Sequence, residues 1–157
     1  RGSREQVNRY TIFSVVFAGL AACGGGRHDA PIIPDPLHGH ACAFEATGPQ
    51  GLRLCHLRPT SPAEAEGFEA AYRQTEACTG ISAPFPVVVI VPQGTLSPFT
   101  GFYYSAPPLI ALEVGSGRIL HEVVHHLIDQ QRRRETGEVV IDLNTDHGNP
   151  LFARCGP

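Results

Sequence analysis

The chain has 157 residues, of which 42% are hydrophobic and 17% are charged. This length and composition predict one ordinary globular domain with a short appendage, and we expect a monomer. The formal net charge is −3, with both signs spread along the sequence, which excludes a strongly basic surface and predicts no nucleic-acid partner. The 17 glycines and 14 prolines indicate long loops around a modest core, which covalent or metal cross-links would stabilise.

The first 23 residues have the pattern of a secretory signal. Basic residues precede an apolar stretch from Thr11 to Leu20, and two small residues lead into Cys23. The apolar stretch is too short for a transmembrane helix, which needs about 20 residues. The run from Leu20 to Cys23 resembles the bacterial lipobox, which implies that residues 1–23 are a lipoprotein signal peptide and that Cys23 is lipidated. A buried N-terminal helix is the alternative interpretation.

The signal predicts the location of the protein and its domain boundaries. Residues 24–41 are rich in glycine and proline and are expected to form a flexible linker. The folded domain is then residues 42–157. We expect an exported protein of the bacterial cell envelope, held at the outer membrane or cell surface, with the lipid anchor as its sole contact with the membrane.

Four cysteines remain in the predicted domain, at positions 42, 55, 78 and 155. An even number of cysteines in an exported chain predicts two disulfide bonds. Three pairings are possible and the sequence alone does not choose among them. We favour Cys42–Cys55 as a local link and Cys78–Cys155 as a long closure. A four-cysteine zinc site is the alternative, but no Cys-x-x-Cys pair supports it.

Hydrophobic periodicity and turn residues predict two helices and three strands. Glycine, proline and capping residues set the boundaries of these elements. They are a helix from Ser61 to about Cys78, strands at Val87–Val91, Gly101–Tyr104 and Leu109–Val114, and a second helix from Arg118 to Arg134. Val139 to Ile141 is predicted to be a short extended piece, and the tail from Asn144 has no regular signal. This order predicts an α+β fold with two helices against a small sheet.

The second predicted helix carries the sequence His-Glu-x-x-His. His121 and His125 are four residues apart, so their side chains project from one face with Cβ atoms about 5–6 Å apart. Two imidazoles at this spacing can bind one zinc ion. Glu122 lies about 100° round the helix from His121, where it can act as a general base on water that the metal polarises. Two incidental histidines on a helix are the alternative interpretation.

A catalytic zinc site needs a third protein ligand and an open position. We favour His147, because it lies in a loop that Cys155 would tie down through a disulfide bond. Asp146 and Glu138 are the alternatives, although Glu138 follows the helix too soon to turn back to the metal. His126 points away from the two ligand histidines and is predicted to be a surface residue or a support for the ligands.

These motifs resemble the zincin metallopeptidases. The helix with His121, Glu122 and His125 is similar to their zinc helix, and the segment from Gly101 to Val114 is similar to the edge strand that aligns their extended substrate. The nearest similarity is to small exported bacterial lipoproteins whose zinc helix precedes a His-x-x-Pro-x-Phe-x-x-Cys tail. In this chain that tail consists of His147, Pro150, Phe152 and Cys155. The resemblance covers residues 42–157.

The resemblance implies a zincin-like fold, in which a small mixed sheet packs on the active-site helix and a second helix. The metzincin branch is excluded, because it has Gly and His where this chain has Ile128 and Gln131. Glu138 to Asp142 matches the gluzincin pattern in letters only, since its β-branched middle disfavours a helix. No tyrosine follows Tyr104, so the candidates for stabilising the oxyanion are Tyr103, Tyr104 and Arg118.

The sequence therefore predicts a zinc-dependent metallopeptidase that acts on a peptide or protein substrate. Zinc would be the cofactor, with His121, His125 and His147 as ligands and Glu122 as the catalytic base. One alternative is a catalytically inactive, zincin-fold lipoprotein in which the metal has a structural or binding role. The other is an envelope domain whose histidines bind no metal.

Overall fold

The computed structural model describes residues 42–139 and 143–156. The predictions for Cys23, the signal peptide and the linker fall outside these ranges. The described strands are β1 Phe44–Thr47, β2 Arg53–His56, β3 Val87–Val91, β4 Gly101–Ser105 and β5 Pro108–Glu113. The helices are α1 Pro62–Thr79, α2 Ile119–Thr136 and α3 Pro150–Cys155, with a 3-10 helix at Leu143–Gly148. None of the described helices has the length and apolarity to cross a membrane.

The five strands form one mixed sheet in the order β1-β2-β3-β5-β4. β2, β3 and β5 run parallel, whereas β1 and β4 pair antiparallel at the two edges. The central strand β3 is an unbroken run of β-branched residues, and four of its five residues are buried. The α+β class and strands β3, β4 and β5 agree with the sequence prediction, whereas β1 and β2 were not predicted.

Helix α1 begins and ends as the sequence indicates. The hydroxyl of Ser61 accepts a hydrogen bond from the backbone N–H of Glu64, and Pro62 occupies the first helical turn. Gly80 ends the helix in the left-handed conformation, with φ of 74°. Buried Tyr72 and Ala65 anchor this helix in the core formed with the sheet.

Helix α2 is buried on two sides, which fixes its rotation. Val123 and Leu127 pack into the core between the helices and the sheet. Val124 and Ile128 pack on the other side, against Phe152 and Cys155 of the tail. The residues from 122 to 129 are all buried. The helix is therefore held between the sheet and the tail. This packing fixes the direction in which its histidine side chains project.

The prediction of an irregular tail is wrong, because the tail is mostly helical. A 3-10 helix, Leu143–Gly148, leads into α3, Pro150–Cys155. The side-chain oxygen of Asn149 accepts a hydrogen bond from the N–H of Leu151, and Pro150 lies in the first turn of α3. This is an ordinary N-terminal cap, but a six-residue helix is too short to give a hydrophobic period.

Both disulfide bonds have the favoured pairing. Cys42–Cys55 joins the segment before β1 to β2, and its cysteines are 13 residues apart. Cys78–Cys155 joins the last turn of α1 to α3 across 77 residues. The second bond fixes the tail against the helical layer, as predicted from the position of Cys155. Two such bonds are typical of proteins from an oxidising compartment.

Candidate metal centre

Three histidine side chains converge beside the N-terminal half of α2. Nε2 of His147 lies 3.2 Å from Nε2 of His121 and 3.0 Å from Nε2 of His125. One ligand atom from each of the three residues lies within 4.8 Å of the other two. The structure therefore brings together the three residues that the sequence predicted as metal ligands, and they are close enough to hold a metal ion.

The first two imidazoles are placed by α2 itself. His121 and His125 are four residues apart, and their ring centroids are 5.1 Å apart. His125 is buried and His121 is half-buried, whereas His147 is exposed. The group therefore reaches from the edge of the core to the protein surface, where a small ligand has access.

The third imidazole is placed by contacts on both sides of it in the tail. Before His147, the carboxylate of buried Asp146 forms an ion pair with Arg132 of α2. After it, the Cys78–Cys155 disulfide and a hydrogen bond of 2.9 Å from Arg154 to the carbonyl of Cys78 attach α3 to α1. A ligand on a segment fixed at both ends loses little further conformational entropy when it binds.

Asp146 and Glu138, the alternatives considered for the third ligand, do not belong to the group of ligands. The Asp146 carboxylate is bound to Arg132, one residue before His147. Glu138 is exposed and follows the end of α2. Within residues 42–139 and 143–156, the three histidines form the one group of three or more potential ligands within reach of a single ion.

The carbonyl oxygen of Gly156 orients the ring of His121. Nδ1 of His121 lies 3.3 Å from this oxygen, which can only accept, so Nδ1 carries the proton. The lone pair of His121 is then on Nε2, the nitrogen that faces His147. Sequence reasoning did not identify this role for Gly156, which depends on how the tail packs against α2.

Close packing explains why position 156 is a glycine. A Cβ atom there would lie 3.1 Å from Cγ2 of Val124 and 3.2 Å from Cα of His121. These distances are tighter than ordinary van der Waals contact. The absence of a side chain lets the tail backbone approach α2 closely enough for its carbonyl to reach His121.

The aromatic ring of Phe152 packs against all three imidazoles. Its ring centroid lies 5.1 Å from that of His121, 4.4 Å from that of His125 and 5.2 Å from that of His147. The side chain is buried in the cluster with Val124 and Ile128. An apolar neighbour lowers the local dielectric constant and restricts the rotation of the rings.

The environment keeps His121 and His125 uncharged at neutral pH. Burial lowers the pKa of His125 to about 3, and the neighbouring His121 and His147 act in the same direction. Burial also lowers the pKa of His121, although the hydrogen bond to Gly156 opposes this shift. Neutral imidazole is the form that binds a metal, so these two residues need not lose a proton at neutral pH.

Glu122 lies between the two ligand positions in sequence but on another face of the helix. Its side chain is 5% exposed. Burial raises its pKa to about 8, and the charge of Arg118 partly opposes that shift. A Cβ atom at Gly101 would lie 2.8 Å from Oε1 of Glu122. The carboxyl group is therefore packed against the first residue of the edge strand β4, and a side chain at this position would force the carboxyl group to shift.

His126 is buried, so the surface position considered for it is wrong. One ring nitrogen, Nε2, donates to the carbonyl of Pro84 at 2.9 Å, and Nδ1 lies 3.3 Å from the hydroxyl of Tyr103. Burial lowers the pKa of His126 to about 4. The sequence could not show that α2 is covered by both the sheet and the segment before β3, which is why this residue was misplaced.

A buried polar network joins α2 to β4. The hydroxyl of Tyr103 donates to the carboxylate of Asp129 at 2.8 Å. Arg133 donates to the same carboxylate at 2.9 Å and also to the carbonyl of Ser105 in β4. Asp129 is fully buried, and these two donors compensate for its charge. The network fixes β4 along the helix and so fixes Gly101 beside Glu122.

Comparison with known proteins found no relative of this chain. No family model, no curated protein and no solved structure matches the chain. The residues of the site are therefore the basis for the function proposed below.

Proposed function

We propose that this protein is a zinc-dependent peptidase of the zincin type. The observation that carries the proposal is the convergence of Nε2 atoms from His121, His125 and His147 on the helix that also bears Glu122. Ligand nitrogens 2.0–2.1 Å from a tetrahedral zinc ion lie about 3.3 Å from one another. The two separations from Nε2 of His147, 3.2 Å to His121 and 3.0 Å to His125, are close to that requirement, and all three ligand atoms lie within 4.8 Å of one another.

Hydrogen bonding among the rings also supports a cation at this position. Nε2 of His121 has a lone pair rather than a proton, because Nδ1 donates to Gly156. Nε2 of His147 faces both other rings, but its single N–H group can serve only one of them. A cation between the three nitrogens would satisfy all of their lone pairs together.

Three histidine ligands would leave one position of a tetrahedral zinc ion open for water or substrate. When bound, zinc supplies a Lewis acid that polarises the scissile carbonyl group and lowers the pKa of water to about 7. Glu122 takes a proton from the attacking water at its carboxylate and later delivers it to the amine nitrogen of the leaving group. A pKa raised by burial makes this carboxylate a stronger base than an exposed glutamate.

The position of β4 supports a peptide or protein substrate. β4 lies at the edge of the sheet, and its first residue, Gly101, packs against the carboxyl group of Glu122. An extended peptide paired with this edge would pass beside the proposed base. This arrangement agrees with the role that the zincin resemblance implies for the segment.

Metal analysis combined with peptide cleavage tests the proposal. We expect about one zinc ion per chain after dialysis, measured by elemental mass spectrometry, and cleavage of a peptide library that a chelator abolishes. Glu122→Gln should keep its zinc and lose cleavage by a factor of about a hundred or more. Cleavage by Glu122→Gln at the native rate would exclude the proposed mechanism.

A second candidate function is a metal-stabilised envelope protein without catalytic activity. The observation that favours it is the 5% exposure of Glu122, which limits the access of a substrate to the carboxyl group. In that case zinc would raise the unfolding temperature of the native protein and of Glu122→Gln equally. Neither protein would cleave any peptide of the library.

We also propose that the protein acts in the bacterial cell envelope, anchored through a lipid on Cys23. The two disulfide bonds support an oxidising compartment. Fractionation of cells that express the native chain or Cys23→Ser tests the anchor. Native protein should remain with the membrane fraction, whereas the variant should not.

A further inference from the structure

Arg118 lies immediately before α2, on the face that bears the proposed zinc ligands. It precedes His121 by three residues and Glu122 by four, so helical periodicity places it one turn from both. A methyl group on Gly101 would lie 3.1 Å from Cβ of Arg118 and 2.8 Å from Oε1 of Glu122. Arg118 therefore borders the same part of the site as the proposed base.

The charge of Arg118 acts on both groups. Its positive charge lowers the pKa of Glu122, against the larger effect of burial, and contributes to the lowered pKa of His121. These effects agree with the position of the side chain beside the first ligand and the base.

In the part of the chain that the structure describes, the guanidinium group of Arg118 differs from most other arginine side chains in forming no hydrogen bond or ion pair. Within residues 42–139 and 143–156, six arginine side chains bind a carboxylate or a backbone carbonyl, namely Arg53, Arg58, Arg73, Arg132, Arg133 and Arg154. In the same ranges no ion pair or side-chain hydrogen bond is formed by the guanidinium groups of Arg118 and Arg134. Arg118 is exposed, so its five N–H donors are open to solvent.

The two tyrosines considered for oxyanion stabilisation lie elsewhere. The hydroxyl of Tyr103 donates to Asp129 in the buried network. Tyr104 follows it on the opposite face of the sheet and packs against the cluster that contains Val89 and Ala111. Neither tyrosine is on the histidine face of α2.

We propose that the guanidinium group of Arg118 binds an anionic oxygen of the substrate at the metal centre. This inference rests on the proposed peptidase function and adds a substrate-binding residue to it. The oxygen has two chemical sources, the scissile carbonyl as it acquires negative charge and the terminal carboxylate of a short peptide. A guanidinium group can bind either through parallel N–H donors.

Anion binding tests the inference without depending on catalysis. The probe is inorganic phosphate, titrated into cobalt-substituted protein and followed by the visible absorption of the metal. We expect Arg118→Ala to weaken binding about tenfold or more and Arg118→Lys to weaken it less. The matched control is Arg134→Ala, which removes the other unpaired guanidinium about 24 Å along the same helix and should bind as the native protein does.

The outcomes separate this inference from the function on which it rests. Equal phosphate affinity in the native protein and Arg118→Ala, or no binding by the native cobalt protein, overturns the role of Arg118 but leaves the metal site intact. Failure of the native protein to take up cobalt overturns the proposed function and this inference with it.

Paired peptide substrates identify the source of the oxygen. Each peptide is offered with a free and with an amidated C-terminus. If Arg118 binds the carbonyl oxygen, Arg118→Ala lowers kcat equally for both forms. If it binds the terminal carboxylate, the loss of kcat/KM is confined to the free acid. Native kinetics of Arg118→Ala on both forms overturns the proposal.

Discussion

The carbonyl oxygen of Gly156 accepts a hydrogen bond from Nδ1–H of His121, and this contact connects the tail to the candidate metal centre. The contact is possible because the glycine backbone lies against α2 with no side chain between them. The histidine ligand is thereby held in one tautomer and one orientation by a residue that the motif itself does not include.

The first prediction concerns Gly156→Ala. The added methyl group would lie 3.1 Å from Val124 and 3.2 Å from the backbone of His121, so the tail must move away from α2. We expect zinc affinity to fall about tenfold or more, the usual cost of losing a group that orients a ligand. Competition with a chelating dye measures this affinity. The matched control is Gly148→Ala, whose methyl group would meet no atom within 4 Å; equal affinities of the two variants would contradict the role of Gly156.

The second prediction concerns Gly101→Ala at the start of β4. The methyl group would lie 2.8 Å from Oε1 of Glu122 and 3.1 Å from Leu112, so the carboxyl group must shift. We expect a loss of about 1–3 kcal/mol in the free energy of unfolding, with zinc retained and peptide cleavage reduced at least tenfold. Zinc content, urea unfolding and cleavage are measured on one preparation. Native cleavage in a variant that retains zinc would show that the position of Glu122 is not critical.

The third prediction compares the two disulfide bonds. Replacing Cys78 and Cys155 by serine releases α3, which carries Phe152 and leads into Gly156, so zinc affinity should fall. Replacing Cys42 and Cys55 alters the far end of the sheet and should leave zinc affinity unchanged. Loop-closure entropy predicts a loss of about 4.5 kcal/mol for the first pair and about 3 kcal/mol for the second. Equal zinc affinities at equal folded fractions would refute the coupling.

The fourth prediction concerns how the stability of the metal-free protein depends on pH. Burial raises the pKa of Glu122 from 4.5 to about 8, so between these values the folded state binds more protons than the unfolded state. The stability that the protonated carboxyl group contributes is complete below about pH 4.5 and is lost as the pH rises through about 8. Glu122→Gln abolishes this loss, because an amide does not titrate.

The free energy of unfolding of Glu122→Gln, minus that of the native protein, should therefore increase with pH by up to about 1.4 kcal/mol per unit. Urea unfolding in a chelator between about pH 5 and about pH 8 measures the difference. His125 and His126 have lowered pKa values and act in the opposite direction, but both proteins contain them. A difference that does not change with pH would show that Glu122 is ionised in the folded protein throughout this range.

Elements with a long pattern and clear caps could be predicted from the sequence. The cap at Ser61 and the glycine at position 80 define α1, and the β-branched run Val87–Val91 defines β3. β1 and β2 have only four residues each and little alternation, so nothing distinguished them from loops. Asn149 and Pro150 form a helix-start signal, but the helix that follows has six residues, too few to show a hydrophobic period.

Some residues of the candidate site could likewise be predicted from the sequence, whereas others could not. The spacing of His121 and His125 and the disulfide at Cys155 were sufficient to predict that His147 would join them. The roles of Gly156 and Gly101 could not be predicted, because each depends on an approach between elements distant in sequence. The burial of His126 also depends on tertiary packing, since periodicity gives the direction of a side chain but not what covers it.

The order in which the ligands are synthesised has a consequence for when metal can be loaded. His121 and His125 leave the ribosome before His147, and Gly156 follows all three. A chain without residues 147–156 offers two imidazoles, neither held by the tail. The tail in turn is joined to α1 by the Cys78–Cys155 bond. If the three histidines bind a metal, tight capture requires a tail that has been translated and attached to α1, so the metal would be bound late in folding, after oxidation of Cys78 and Cys155.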